Sequence, residues 1–380
     1  MPSTRESITC PLLGALLAVI AASFLAAPAL AQQLPQYGGL QTLDIPFANG
    51  PIAMDRVPHV WLKLRGSRPV RFGMDTGSTG IVVAAEHFTP GPNDIAEGPG
   101  RLIYNSSGRI LNGERYTTEV EIQRDERTSV ATARVQVLRV SSITCLERAR
   151  DCRPESNPRG VAFMGVGFDR TGAESIGTGG TEPGVPRNPF VSLVSLASGA
   201  PLSSVRPGYI VTRDGVHLGI SAERTRGFAF IKLAANPASR PGVPEWSATP
   251  MAVSVDGVTG NGTVLVDTGI NYMFLSPPEG TRLERGRRAP EGSRITVFMP
   301  DRRNPQPAYY GFTVGARGNP MHPERVDVVH DRGVFVNTGR MFLEGFDYLY
   351  DAAGGYVGFG WNGRLAGGYG GVTPGLSYAP

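Results

Sequence analysis

Two short stretches of the chain carry the residues best suited to chemistry. Asp75-Thr76-Gly77 and Asp267-Thr268-Gly269 repeat the same three residues 192 positions apart. A glycine two places after each aspartate permits a tight turn, so that the backbone can approach a neighbour and its amides can face a carboxylate. Two carboxylates a few ångströms apart cannot both ionise easily and share one proton. The charged member can then draw a proton from a water between them, while the protonated member donates to a substrate carbonyl. That is general acid–base hydrolysis of an amide, with no covalent intermediate, metal or cofactor. Asp-x-Gly is also ordinary turn chemistry, and it is the occurrence of both copies at matching places in a repeat that favours the chemical reading.

The residues around the two motifs describe the elements that must position them. Val60–Gly66 leads through a glycine turn to Val70–Met74 and Asp75; Met251–Gly257 leads in the same way to Val264–Val266 and Asp267. Each copy reads as a strand, a turn, a second apolar strand and the motif, which predicts two lobes of similar construction. The division is expected near Thr212–Gly215, giving an N-terminal β lobe over 32–212 and a C-terminal β lobe over 213–380. Further strand runs are His59–Leu64, Thr117–Ile122, Ala133–Val140, Gly208–Thr212, Phe228–Leu233 and Thr263–Leu275, with Tyr116–Glu121 alternating as an edge or half-exposed strand would. Pro189–Ala197 is the best short helix candidate. With 50 glycines and 32 prolines in 380 residues, the expected fold class is all-β with a few short helices.

Composition narrows the function. The formal net charge is +4, from 37 basic and 33 acidic residues. The basic residues are scattered arginines, joined only by Lys63 and Lys232, without the basic stripe and interleaved aromatics of a nucleic-acid surface. Residues 1–31, with Arg5, an apolar run from Pro11 to Leu30 and Ala29-Leu30-Ala31, have the layout of a secretory signal peptide; an uncleaved anchor is the alternative. Removal would leave Cys145 and Cys152, which read as a disulfide closing a small surface loop far from the active-site cleft. A metal site is the rival, but no second cysteine pair or spaced histidine completes a ligand set. His59, His87, His217, His322 and His330 show no ligand spacing. Gly177–Gly180 has no strand before it and no Lys-Ser/Thr after it, so it reads as a loop and not a phosphate cradle. Asn105-Ser106-Ser107 and Asn261-Gly262-Thr263 match the glycosylation sequon, a frequent match that at Asn261 doubles as turn chemistry. No Gly-x-Ser-x-Gly nucleophile elbow supports a serine hydrolase.

Across nearly all of 32–380 the chain resembles the pepsin-like (retropepsin-related) aspartic proteases, as an exported bacterial-type member. Phe72–Gly80 is similar to the first catalytic motif and Val264–Gly269 to the second; Tyr104–Gly108, with Gly113 beyond, is similar to the flap whose tyrosine closes over substrate. Phe163-Met164-Gly165 is similar to the segment bracing the first motif, and Phe342–Asp351 with Val357–Phe359 to the closing strands. The resemblance implies a bilobal fold with the cleft between lobes, Asp75 and Asp267 as catalytic residues, Thr76, Gly77, Ser78, Thr268 and Gly269 as their support, and Tyr104 as the flap residue. Tyr104 as a plain core or surface tyrosine and Ser78 as a turn serine are the bland alternatives. The family pattern is broken at Ile270, where Ser or Thr is usual; at Val82, in place of the flap tyrosine's Trp partner; and at Val336-Asn337-Thr338-Gly339, a polar second bracing segment. No pepsin-type propeptide is evident before Asp75. Ser78 can give Asp75 a hydroxyl hydrogen bond where Ile270 can give Asp267 none, which should raise the pKa of the pair. The expected protein is a periplasmic or secreted aspartic endopeptidase, monomeric because one chain supplies both aspartates, with a polypeptide substrate, no cofactor, no metal, no nucleic acid and no stable membrane insertion after signal removal. The competing expectation is a non-catalytic binding module on the same fold, taking a polypeptide or polysaccharide in the cleft.

Overall fold

The computed structural model describes residues 34–378, apart from 39, 105–106, 148, 150–151, 170–185, 238–244, 285, 304, 306, 330–332 and 364–367. The signal segment 1–31, the loop 177–180, His330 and the first two sequon residues Asn105-Ser106 lie outside the described residues.

Strands dominate. In chain order they are β1 Leu43–Pro46, β2 His59–Leu64, β3 Val70–Asp75, β4 Thr79–Ala84, β5 Ile95–Tyr104, β6 Arg109–Gln123, β7 Ser129–Cys145 and β8 Glu155–Ser156. Next come β9 Ala162–Val166, β10 Leu193–Leu196, β11 Gly208–Val211, β12 Gly215–Leu218, β13 Phe228–Lys232, β14 Thr249–Val255, β15 Val258–Leu265 and β16 Met273–Ser276. The remainder are β17 Arg294–Met299, β18 Ala308–Thr313, β19 Val326–Val328, β20 Phe335–Asn337, β21 Phe346–Asp351, β22 Tyr356–Trp361, β23 Gly370–Val372 and β24 Ser377–Tyr378. The helices among the described residues are three short 3-10 turns, Ala85–His87, Leu202–Ser204 and Arg340–Glu344. The fold is therefore all-β, and the short helices are single turns.

One sheet takes the order β10-β7-β4-β9-β3-β2-β6-β5, with β8 beside β7, and another runs β19-β16-β20-β15-β14-β17-β18-β23. A third, β1-β12-β11-β21-β22-β13-β24, draws strands from both halves of the chain. The first two repeat one local plan. A hairpin, β2–β3 or β14–β15, ends at an aspartate motif; the strand leaving the motif, β4 or β16, is separated from the incoming one by a distant strand, β9 or β20, which runs parallel to the incoming strand and antiparallel to the leaving one. The reason is burial. Phe72 and Met74 before the first motif and Val264 and Val266 before the second are all buried, so the strand carrying them needs partners on both edges for its backbone groups. The shared sheet is anchored by Asp351, wholly buried, which takes a bidentate pair from Arg206 at 2.9 and 3.0 Å and a hydrogen bond from the Tyr37 hydroxyl at 3.2 Å.

Several expectations need correction. Pro189–Ala197 is not a helix: a turn precedes β10, which pairs antiparallel with Ala131–Ala133 of β7. The apolar run is too short for periodicity to separate helix from strand, and the open edge of β7 decides it. Tyr116–Glu121 is half-exposed as expected but is no edge, because β6 pairs with β5, β7 and β2. Thr263–Leu275 is not continuous; the turn at Asp267–Gly269 divides it into β15 and β16. Thr212–Gly215 is the tight turn of the β11–β12 hairpin in the shared sheet.

Cys145 and Cys152 are joined at an S–S distance of 2.01 Å. The bond is not remote from the aspartates' cavity. Cys145 ends β7 opposite Arg109, the Leu146 N–H donates to the Gly108 carbonyl at 2.8 Å, and Cys152 packs on the cluster of Leu102, Leu111 and Val82 that also receives Tyr104. The length of β7 carries the pair to the turn of the β5–β6 hairpin. Replacing both cysteines by serine is expected to lower the unfolding free energy by about 2 kcal/mol, the scale for so short a closed loop. Urea unfolding of the two proteins measures this, and two free thiols in the unreduced protein would refute the pairing.

Candidate active site

Asp75 closes β3 and Asp267 follows β15, each at the start of a tight turn. The turns interlock through their threonines. The Thr76 N–H donates to Thr268 Oγ1 at 3.0 Å, and the Thr268 N–H donates to Thr76 Oγ1 at 3.0 Å. Each hydroxyl then donates onward across the boundary, Thr76 to the Val266 carbonyl at 2.6 Å and Thr268 to the Met74 carbonyl at 2.7 Å. Thr76 is 2% exposed and Thr268 wholly buried. All four bonds thus form away from water, where a missing partner costs about 1–3 kcal/mol.

The interlock sets the carboxyl groups face to face. A Cβ on Gly77 would fall 2.4 Å from the Asp267 carboxyl carbon, and one on Gly269 would fall 2.8 Å from that of Asp75. The two side chains lie within hydrogen-bonding contact of each other. The Gly77 N–H and the Ser78 hydroxyl each donate to Asp75, both at 2.6 Å. The Gly269 N–H donates to Asp267 Oδ1 at 2.7 Å. The Asn337 side-chain amide donates to Asp267 Oδ2 at 2.6 Å. Ile270 has no donor to give Asp267, as its side chain requires, and Asn337 supplies one from β20 instead.

Burial holds the Asp267 carboxyl above the usual carboxylate range, reinforced by the charge of Asp75 and the hydrogen bond between the two; the Asn337 and Gly269 donors act the other way. Arg340 adds a cation behind the second turn. Its guanidinium donates to the carbonyls of Thr268, Gly269 and Met54 at 3.0, 2.9 and 3.1 Å. Burial lowers its pKa, and the nearby Asp267 and Asp75 charges act to raise it.

Above the pair lies a cavity of about 410 Å³ lined by Asp75, Ser78, Asp267 and Ile270 and walled by apolar Val57, Ile103, Phe163 and Phe274. Tyr104, at the end of β5, also lines it. Its ring meets Phe163 edge-on at 6.2 Å, and burial together with the Asp75 and Asp267 charges pushes its phenol pKa up. Val82 is buried in the cluster on which Tyr104 packs. Of the site residues picked out by sequence, Asp75, Gly77, Ser78, Tyr104, Asp267 and Gly269 line this cavity, while Thr76 and Thr268 are buried in the interlock and the cysteines lie outside the lining. Asn337 and Arg340 were missed as site residues. The signal for the first was the polar residue in a bracing segment whose counterpart, Phe163-Met164-Gly165, is apolar. For the second it was a lone arginine directly after that segment.

Among the described residues no cluster of His, Cys, Asp and Glu could hold a metal ion, and no helix is long and apolar enough to cross a membrane. No family model matches the chain, and no curated protein matches it significantly.

The raised Asp267 pKa fixes a pH dependence of stability. The native pair keeps a proton that the unfolded chain loses near its ordinary aspartate pKa of about 3.9. Its contribution is complete below that pH and is lost as pH rises through the window up to the folded-state value, by at most about 1.4 kcal/mol per pH unit. Asp267→Asn cannot titrate and removes this slope. Unfolding free energies at pH values from about 4 to about 7 should fall more steeply for the natural protein; parallel slopes would show that the pair holds no extra proton.

Proposed function

We propose that the chain is an aspartic endopeptidase that hydrolyses polypeptides with a water activated between Asp75 and Asp267. The observation that carries this reading is the mutual contact of the buried Asp267 carboxyl and the half-buried Asp75 carboxyl, held by interlocked turns at the floor of a cavity with apolar walls. In this reading the more buried Asp267 keeps the shared proton and gives it to the carbonyl oxygen of the scissile bond, while Asp75 takes a proton from the attacking water. The water oxygen bonds to the carbonyl carbon and gives a neutral gem-diol. Return of a proton to the amide nitrogen then lets the C–N bond break, releasing an acid and an amine. The chemistry needs no cofactor and no metal.

The matching plans of the β2–β3 and β14–β15 copies support a bilobal pepsin-type architecture, with Tyr104 on the β5–β6 hairpin acting as the flap residue over substrate. The apolar walls suit the side chains of an extended polypeptide. The signal-like 1–31 segment and the Cys145–Cys152 bond support export to the periplasm or medium, and a single chain bearing both aspartates supports a monomer. Asp75→Asn and Asp267→Asn should each lower kcat/KM on an unstructured polypeptide by about a thousand-fold while the protein still folds, since each carboxyl serves a different proton transfer. A statine-type transition-state analogue should inhibit, and chelators should not. Full activity in either variant would end the proposal. Polypeptide or polysaccharide binding without turnover would identify a binding module instead.

A further inference from the structure

The two aspartates have matching sets of donors that come from different places in the chain. Asp75 takes its side-chain hydrogen bond from Ser78, three residues on. The same position after Asp267 is Ile270. The residue two before each aspartate pairs with the inserted strand, Gly73 with Phe163 and Leu265 with Asn337. Asn337 therefore occupies in the second copy the place that Phe163 fills in the first. An apolar residue and a hydrogen-bond donor have exchanged places between the two copies.

The orientation of the Asn337 amide is fixed by its other contact. The Gly339 N–H donates to Asn337 Oδ1 at 3.0 Å. A backbone N–H can only donate, so the side-chain oxygen must face it and the NH₂ must face Asp267. At 5% exposure Asn337 has little water to compete for these bonds. We propose that Asn337 is a positioning residue of the aspartate pair, supplying Asp267 with the hydrogen bond that Ser78 supplies to Asp75 and thereby setting the pH at which the pair gives up its shared proton. Its assignment to catalysis rests on the hydrolytic reading above; its hold on the proton does not.

The other charged and titratable groups acting on Asp267 are Asp75 from the first turn, Tyr104 from β5, Tyr272 from the segment after the motif, and Arg340 behind it. None of them changes when a donor is moved from β20 to position 270. That makes donor exchange a specific test. Carbon-13 titration of labelled aspartate carboxyls reads the protonation directly, with Asp267→Asn identifying the signal. Asn337→Leu should move the titration upward by about one pH unit, a tenfold gain in proton affinity. Adding Ile270→Thr to Asn337→Leu should bring it back down, while Ile270→Thr alone should move it far less because Oδ2 already has a donor. The kcat/KM–pH profile should follow the same order.

An unmoved titration in Asn337→Leu, or no restoration by Ile270→Thr, overturns the proposal. Should Asn337→Leu fail to fold, the smaller Asn337→Ala removes the amide donor without adding bulk or charge; it should give the same upward movement, and an unmoved titration there overturns the proposal equally. A protein that cleaves no polypeptide would defeat the hydrolytic reading, and the titration would still decide the role of Asn337.

Discussion

Everything at the candidate site depends on the exchange of hydrogen bonds between Thr76 and Thr268. Each threonine satisfies the backbone of the opposite turn, so neither turn has its buried groups paired without the other. A sliding motion of one turn past the other would break several buried bonds together, and buried polar groups are rarely left unpaired. The arrangement forces an electrostatic conflict, because it brings two acids into a space from which water is largely excluded. Sharing a proton resolves the conflict, and the surrounding donors limit how tightly that proton is held.

The larger architecture maintains this contact. Each motif leaves a hairpin whose apolar residues are buried, and the strands inserted beside them, β9 and β20, pin the outgoing chain. Arg340 ties the second turn to Met54, which lies ahead of the first hairpin. After it, Phe342 stacks on Phe346 at 4.5 Å and leads directly into β21 of the shared sheet. The polar centre and the apolar core are thus joined through a few residues after Gly339.

What was legible in the sequence was local. The two Asp-Thr-Gly motifs, their apolar approach strands, Tyr104 and the cysteine pair are each recognisable within a few residues, and the cavity is lined by the aspartates and glycines of both motifs together with Tyr104. The all-β character followed from glycine, proline and short apolar runs. What was not legible depended on partners far along the chain. Nothing near Asp267 shows that its donor comes from Asn337, 70 residues later, and the apolar Ile270 pointed to an absence. The run at Pro189–Ala197 suits a helix until the free edge of β7 is known. The cysteine spacing indicated the bond, but its location follows from β7 running to Cys145 beside the hairpin turn. In each case local preference was weak and long-range pairing decided.

The order in which the shared sheet and the second turn are assembled has a consequence for the chain during its synthesis. The first aspartate emerges long before its partner, and Asn337 and Arg340 follow later still. The shared sheet pairs β11 with β12 early but completes its middle only with β21 and β22. A ribosome-bound chain can therefore finish most of the β2–β9 sheet while its carboxylate remains single, hydrated and unable to share a proton. The pair gains its full set of donors only once β20 has docked. The contact between the two carboxyls is thus timed by topology, arriving only after the greater part of the chain has been made.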